Sequence, residues 1–418
     1  MLAQRLAHRF DFLPFGFWIA TLASIFYFFA IQVTFPITPL FIEQELGGTK
    51  TFIGTAVLVV AAVEILLRLP MGQWADRFGR RFLMLGGALL NVLFLALTAL
   101  SSDTNLFIVA RVVHGLSLAV YVTCAKIYIS DIVPTDRAGE AQGINTSAFA
   151  LALIAGPLTG EGLKNAFDFR TAFAVGAAIA ALAWVTLWLL PREAPQTTVS
   201  PSLRQGLQAV FGLRGGWAAL LTAMAGGMGF VIFFVYFPSY AEHLRLDEQV
   251  PNALAHFVLT LAFSLFAVVN LVALPIAGRY SDQHGRTAAL IPGLIILLPA
   301  LLLLAIARHY LVVYSAVLLI ALGFSFFRAM MDAIMQDACP RPIRPAGMAI
   351  LFSVWSASIG LNSQLIGWLI DRYGFESMFI YGIISTLVYG LLAIALSRTA
   401  EHDRATLYKG EFPPLPPS

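Results

Sequence analysis

Apolar residues run along this chain in twelve blocks of about 20 positions or more, separated by short polar stretches. The blocks are Phe15–Ile42, Thr51–Met71, Phe82–Leu100, Leu106–Ser130, Gly143–Leu163, Thr171–Leu190, Trp217–Tyr240, Ala253–Ile276, Thr287–Ile306, Tyr310–Gln336, Ala346–Ile370 and Ser377–Leu396. A helix of that length crosses the hydrocarbon of a bilayer, and it satisfies its own backbone hydrogen bonds where lipid offers none. The pattern predicts an all-α membrane protein of twelve transmembrane helices. The longest internal polar stretch, PREAPQTTVSPSLRQG at 191–206, divides them into two sets of six. The predicted organisation is a six-helix bundle at 1–190, a linker at 191–216, a second bundle at 217–398 and a tail at 399–418.

Composition agrees with this reading. The chain is 59% hydrophobic and 12% charged, with mean hydropathy +0.81. A soluble protein has no place to hide so much apolar surface, whereas lipid removes the need. The net charge of +3 gives no reason to expect a nucleic-acid partner. Sorting Lys and Arg by alternate loops puts sixteen on the side of the termini and six on the other. By the positive-inside rule both termini then face the cytoplasm of a multi-pass inner-membrane protein. The leader MLAQRLAHRFDFLP has no small-residue cleavage site and reads as a short cytoplasmic segment. The tail GEFPPLPPS is too Pro-rich for regular structure. Cys124 and Cys339 fall toward the cytoplasmic ends of their helices, so no disulfide is expected.

The two halves repeat one plan. Gly72, Asp76, Gly79 and Arg80 after the second block recur with the same spacing as Gly278, Asp282, Gly285 and Arg286 after the eighth. Phe35-Pro36 recurs as Phe237-Pro238, Gly115 and Pro134 as Gly323 and Pro342, and Phe169, Phe173 and Gly176 as Phe375, Phe379 and Gly382. Most separations are near 206 residues. Joined repeats of this kind place a binding site between the halves near the bilayer midplane.

GQWADRFGRR and its copy GRYSDQHGR resemble the loop signature of the major facilitator superfamily. The resemblance implies two six-helix bundles that rock around a central site. It also implies a gate at the cytoplasmic side built from Gly72, Asp76, Gly79 and Arg80, their second-half copies Gly278, Asp282, Gly285 and Arg286, and an acid from the fourth helix, here Asp131. In the fourth block, Arg111 and Gly115 resemble the family's intramembrane arginine motif, which the resemblance links to proton coupling; His114 beside it reads better as a packing residue. Gly156, Pro157 and Gly160 resemble an antiporter signature, imperfectly, since Ala152 stands at a usual glycine and Glu161 follows Gly160. A plain small-residue packing face is the alternative.

Charges inside apolar blocks are costly and therefore point to function. Glu64 and Arg68 share a helix face four residues apart, and Arg328 and Asp332 repeat the spacing with reversed sign order. Counting about 1.5 Å per residue puts Glu64 roughly 18 Å from Asp76, near the membrane middle. Two readings stand for each pair: a permanent ion pair, or a carboxylate whose proton and a substrate compete for the arginine. Lys126 either snorkels to the surface or faces the cavity. In the second case Arg68, Arg111, Lys126 and Arg328 outnumber Glu64 and Asp332, and the site favours an anion. Phe233, Tyr236 and Trp355 are candidate lining residues of an amphipathic pocket. No acid lies between Leu13 and Phe41, where several drug–proton exporters of the family this chain resembles carry a carboxylate; the resemblance then argues against multidrug export of cations and leaves Glu64, Asp332 or, less favoured, Glu161 as the coupling acid.

There is no GxxxxGK[ST] phosphate loop, no Cys/His spacing for a metal and no Ser/His/Asp elbow. The expectation is therefore a secondary transporter and not an enzyme, monomeric, with no cofactor beyond the proton gradient. Its partners would be lipid, protons and a small-molecule substrate. Glu64, Arg111 and Asp332 would couple protons, and Arg68, Lys126, Arg328, Asp332, Phe233, Tyr236 and Trp355 would contact substrate. Proton-coupled export of a small amphipathic or anionic compound is favoured. Uptake of an organic anion or sugar, by proton symport or uniport, is the runner-up, and a non-transporting sensor is the reading of another class.

Overall fold

The computed structural model describes residues 12–134, 137–191, 207, 210–251, 254–339 and 343–408. Most of the predicted linker, the start of the leader and the end of the tail lie outside these residues, as does Pro342. Among the described residues, twelve long helices account for the twelve apolar blocks. They are α1 Phe15–Thr34, α2 Lys50–Phe78, α3 Arg80–Leu100, α4 Thr104–Ile132, α5 Ala138–Ala166 and α6 Phe169–Leu187 in the first half. The second half contains α7 Arg214–Phe230, α8 Val258–His284, α9 Arg286–Ile306, α10 Tyr310–Ala338, α11 Arg344–Tyr373 and α12 Phe375–Tyr408.

Several helices run past the apolar blocks. The second block ends at Met71, but α2 continues to Phe78. Hydrophobicity marks where lipid ends, whereas helix continues through the polar Gly-x-x-x-Asp turn until Gly79 stops it at φ 84°. Gly285 stops α8 in the same way at φ 93°. This left-handed backbone favours glycine because it has no Cβ.

The Phe-Pro pairs break their helices at matching points. After Thr34, α1 gives way to a short helix Thr38–Gln44. Beyond Phe230, α7 passes through a π-turn at Val231–Tyr236 into Phe237–His243, with Pro238 in the first turn.

Each half packs by the same scheme. In the first, α1 lies against α5 and α6, α3 against α4 and α6, and α2 against α4. In the second, α7 lies against α11 and α12, α9 against α10 and α12, and α8 against α10. Between halves the main seams are α2 with α11 and α5 with α8. Apolar side chains gain nothing by leaving lipid for a helix interface, so close approach of small residues decides where helices meet. A Cβ on Gly115 would sit 2.8 Å from Val63 of α2, and one on Gly323 would sit 2.9 Å from Leu297 of α9.

Candidate functional site: a charged crevice between two duplicated bundles

Each Gly-Arg turn ends in a knot of charge, buried at Arg80 and partly exposed at Arg286. The Arg80 guanidinium, 2% exposed, donates to Asp76 at 2.6 Å, to Asp131 of α4 at 2.9 Å and to the Ala75 carbonyl at 3.2 Å. Asp131, chosen from sequence as the acid of the fourth helix, thus sits on the arginine of the turn. Arg286 repeats the knot with Asp282 at 2.6 Å and Asp337 of α10 at 2.9 Å. Asp337 escaped the sequence reading, although it stands 206 positions after Asp131. Gly278 has open space around it, with no heavy atom within 4 Å of an added Cβ.

The intramembrane charges of α2, α4 and α10 converge where the halves face each other. Glu64 and Arg68 are bound to one another within α2. Ser356 of α11 joins them, donating to Glu64 at 3.0 Å and accepting from Arg68 at 3.4 Å. Arg328 donates to Asp332 at 2.6 Å within α10. Lys126 of α4 has all four of these groups as its electrostatic neighbours. Its side chain is exposed, as at the wall of a crevice, so it neither snorkels away nor packs inside its own bundle. The Phe352 ring of α11 lies under two cations, Lys126 at 4.7 Å and Arg328 at 5.7 Å. Among the described residues Lys126 has no carboxylate within ion-pair distance, whereas Arg68 and Arg328 each have one. The cluster holds three cations and two anions, so its formal charge is +1.

Other candidates lie elsewhere. Arg111 does not join the crevice. It is buried inside the first bundle, against His114 at 3.3 Å and the rings of Phe107 at 4.7 Å and Phe94 at 5.5 Å. It precedes Lys126 by fifteen residues, about 22 Å along α4. His114 stacks on Phe94 at 4.0 Å, the packing role expected of it. Phe233 and Tyr236 do not line an open pocket. Both are 0% exposed, Phe233 stacked on Phe266 at 4.7 Å and Tyr236 hydrogen-bonded to the Ser363 carbonyl of α11 in the same half. Their π-turn aims them into the core, which a run of aromatics could not reveal. Trp355 is half-buried one turn from Phe352, with its ring 5.8 Å from Phe230. Gly156 and Gly160 let α5 lie directly on the α1 backbone at Gln32 and Val33.

Among the described residues, the hydrogen bonds that join the halves gather toward one face. Between described residues, the cross-half hydrogen bonds lie from the level of Arg68 and Ser264 toward the face that carries Lys50 and Asp371. Asp371 accepts from the backbone of Lys50 at 3.0 Å and of Thr51 at 2.7 Å, and from the Thr51 hydroxyl at 2.6 Å. Gln44 donates to Glu242 at 2.6 Å, and Glu43 holds both Lys50 and Ser239. Glu161 of α5 accepts from the backbone of Leu259 at 3.0 Å and Thr260 at 2.6 Å, the first turn of α8. At the opposite face the ion pairs of each arginine knot join residues of one half.

The family model described as Major Facilitator Superfamily matches residues 20–261 and 252–417. Among curated relatives, "Multidrug resistance protein 2" of Bacillus subtilis (strain 168) is 29% identical over 177 residues, 42% of this chain. That match spans 44% of the relative, less than half its length. "Citrate-proton symporter" of Klebsiella pneumoniae is 23% identical over 413 residues, 92% of this chain and 87% of the relative. The fold also matches a solved structure described as a bacterial homolog to human lysosomal transporter, Spinster, in inward-facing and unoccupied conformation. Its TM-score is 0.79 at 13% identity, over 94% of this chain and 98% of that one. With twelve apolar helices in two like bundles and a family match along nearly the whole chain, this protein belongs to the major facilitator superfamily, whose members are membrane transporters and not enzymes.

Proposed function

We propose that this transporter exports a small amphipathic or anionic organic molecule from the cytoplasm in exchange for protons. The observation that carries the anionic part is Lys126, a cation on the crevice wall with no carboxylate partner among the described residues and an aromatic ring beneath it. Arg68 and Arg328 stand beside it, each paired with its own carboxylate. A substrate carboxylate or phosphate competes with Glu64 or Asp332 for the arginine, and binding then changes the affinity of the acid for a proton. Phe352, with Trp355 one turn away, offers an apolar platform for the rest of the molecule.

In this reading the Arg80 and Arg286 knots lie at the cytoplasmic face of the plasma membrane, with both termini on that side, in accord with the bias of Lys and Arg. The conformation described is then open to the cytoplasm, with the outer face shut by the α2–α11 and α5–α8 seams. The antiporter-like Gly156, Pro157 and Gly160 and the resemblance to a multidrug resistance protein support export.

A second reading, proton symport of an organic anion into the cell, draws on the citrate-proton symporter, which this chain matches over 92% of its length. The deciding experiment starts with a thermal-stabilisation screen of purified protein against aromatic and aliphatic carboxylates, phosphates and amphipathic amines. Hits then go to proteoliposome flux. Stabilisation by carboxylates that is lost in Lys126→Ala supports the proposal. Stabilisation by amines alone, or a Lys126→Ala protein that binds carboxylates unchanged, refutes it.

A further inference from the structure

The closed face is fastened by two carboxylates that each cap a helix of the opposite half. Asp371, near the end of α11, receives the first backbone N–H groups of α2. Glu161, near the end of α5, receives those of α8. By the internal repeat α2 corresponds to α8 and α5 to α11, so the two caps are the same device used in both directions. A helix begins with N–H groups that lack intrahelical partners and carries a partial positive charge there. A carboxylate satisfies both needs, and it does so only while the halves touch.

The two caps differ in their surroundings. Asp371 is exposed, whereas Glu161 is 6% exposed. A cavity of about 180 Å³ reaches Glu161 from this face, lined also by Gln44, Lys164, Asn165, Glu242, Asp247 and His256. That volume holds several waters and gives protons a route to a carboxylate otherwise enclosed by protein. The titratable groups around Glu161 are Lys164 on α5, His256 in the turn before α8, Tyr314 of α10 and, across the cavity, Glu242 and Asp247. Tyr314 donates to the Val258 carbonyl at 3.1 Å, and Asn165 donates to the His256 carbonyl at 2.7 Å, so the cap sits in a fixed frame.

We infer that Glu161 and Asp371 form a reciprocal latch that holds this face shut, and that protonation of Glu161 from the adjoining cavity releases it. An ionised carboxylate accepts both N–H groups. Once it takes a proton from hydronium in the cavity, one oxygen becomes a donor facing an N–H, and the attraction to the helix end is lost. Acid on this side therefore favours opening on this side, the step in which a proton-driven exporter releases cargo and loads protons. The inference requires only that the halves alternate between two closures, so it survives if a different crevice residue meets the cargo.

The test uses the full chain in lipid vesicles with spin labels at Glu45→Cys and Glu248→Cys, both exposed residues of this face on opposite halves. Wild type should convert from the short to the long inter-label distance as the pH of the cavity side falls from 8 to 5. Glu161→Gln should already show the long distance at pH 8, raised about tenfold over wild type, which is what one charge-assisted hydrogen bond is worth. It should also lose the pH response. Glu161→Asp keeps the charge and should keep the response, which controls for misfolding. Asp371→Asn should raise the open population at every pH and leave the response in place. A Glu161→Gln protein that follows pH as wild type does overturns the latch, and so does an Asp371→Asn protein that loses the response.

Discussion

The seam between α2 and α11 can be loosened without touching a single charge. Gly54, Gly360 and Gly367 are points of close approach between the two helices. An added Cβ at Gly54 falls against the Ser363 carbonyl, and one at Gly367 falls against the Lys50 carbonyl, both backbone atoms that cannot rotate away. At Gly360 it meets Ala61 at 2.8 Å. Ordinary contact needs about 3.5 Å or more, so Gly54→Ala or Gly367→Ala must part the helices by about 1 Å. Overpacking of this kind costs about 1–3 kcal/mol, and it is felt only in the conformation in which this seam is closed. A penalty confined to one of two states moves their ratio by about 5- to 150-fold. The label pair at Glu45→Cys and Glu248→Cys should therefore report a shift to the long distance in either alanine variant. Gly86→Ala, where a methyl group meets nothing within 4 Å, is the control and should leave the distribution unchanged. If Gly54→Ala and Gly367→Ala behave like the control, the glycine seam is not what shuts this face.

Three further outcomes are expected. Arg80→Ala strands Asp76 and Asp131 beside a buried void and should destabilise the protein by about 2–4 kcal/mol, more than Arg286→Ala, whose arginine is 25% exposed; thermal unfolding in one detergent compares them, and equal losses would contradict the ranking. Phe352→Ala should weaken binding of an aromatic carboxylate found in the stabilisation screen by about tenfold through loss of the ring beneath both cations, whereas Phe352→Tyr should retain it; titration calorimetry separates the two. Cys339 lies buried just past the end of α10, and burial pushes its thiol up, which lowers the thiolate fraction at neutral pH. Thiol reagents at pH 7.5 should leave Cys339 and the buried Cys124 unmodified in the folded protein and label both after denaturation, as mass spectrometry would show.

The twelve helices were legible because lipid imposes one hydrophobic length on every crossing. The paired arginine knots were legible because Gly79 and Gly285 need a backbone only glycine adopts readily, and because the repeat fixes where their acids stand. Asp337 was available by the same route, through its offset from Asp131. The crevice was legible in part. Glu64 with Arg68 and Arg328 with Asp332 are four residues apart, so each pair shares a face whatever the fold. Arg111 resists that reasoning, since a lone cation on a helix carries no sign of which neighbour it faces, and packing turned it toward Phe94 and Phe107. Phe352, Ser356 and Asp371 acquire meaning only when one half is laid on the other, and so does the capping contact of Glu161, which the sequence offered only as a candidate acid. The spacing along a single helix holds no record of that contact.

The central claim is that cargo and proton compete inside the Glu64–Arg68–Lys126–Arg328–Asp332 crevice, and proteoliposome flux with a carboxylate found in the screen tests it most directly. With the protein reconstituted and the cargo outside, an acidic lumen should drive accumulation above the outer concentration. Glu64→Gln should abolish accumulation while cargo still exchanges down its own gradient. Accumulation that instead requires acid on the side of the cargo, or that persists undiminished in Glu64→Gln and Asp332→Asn, would contradict the account.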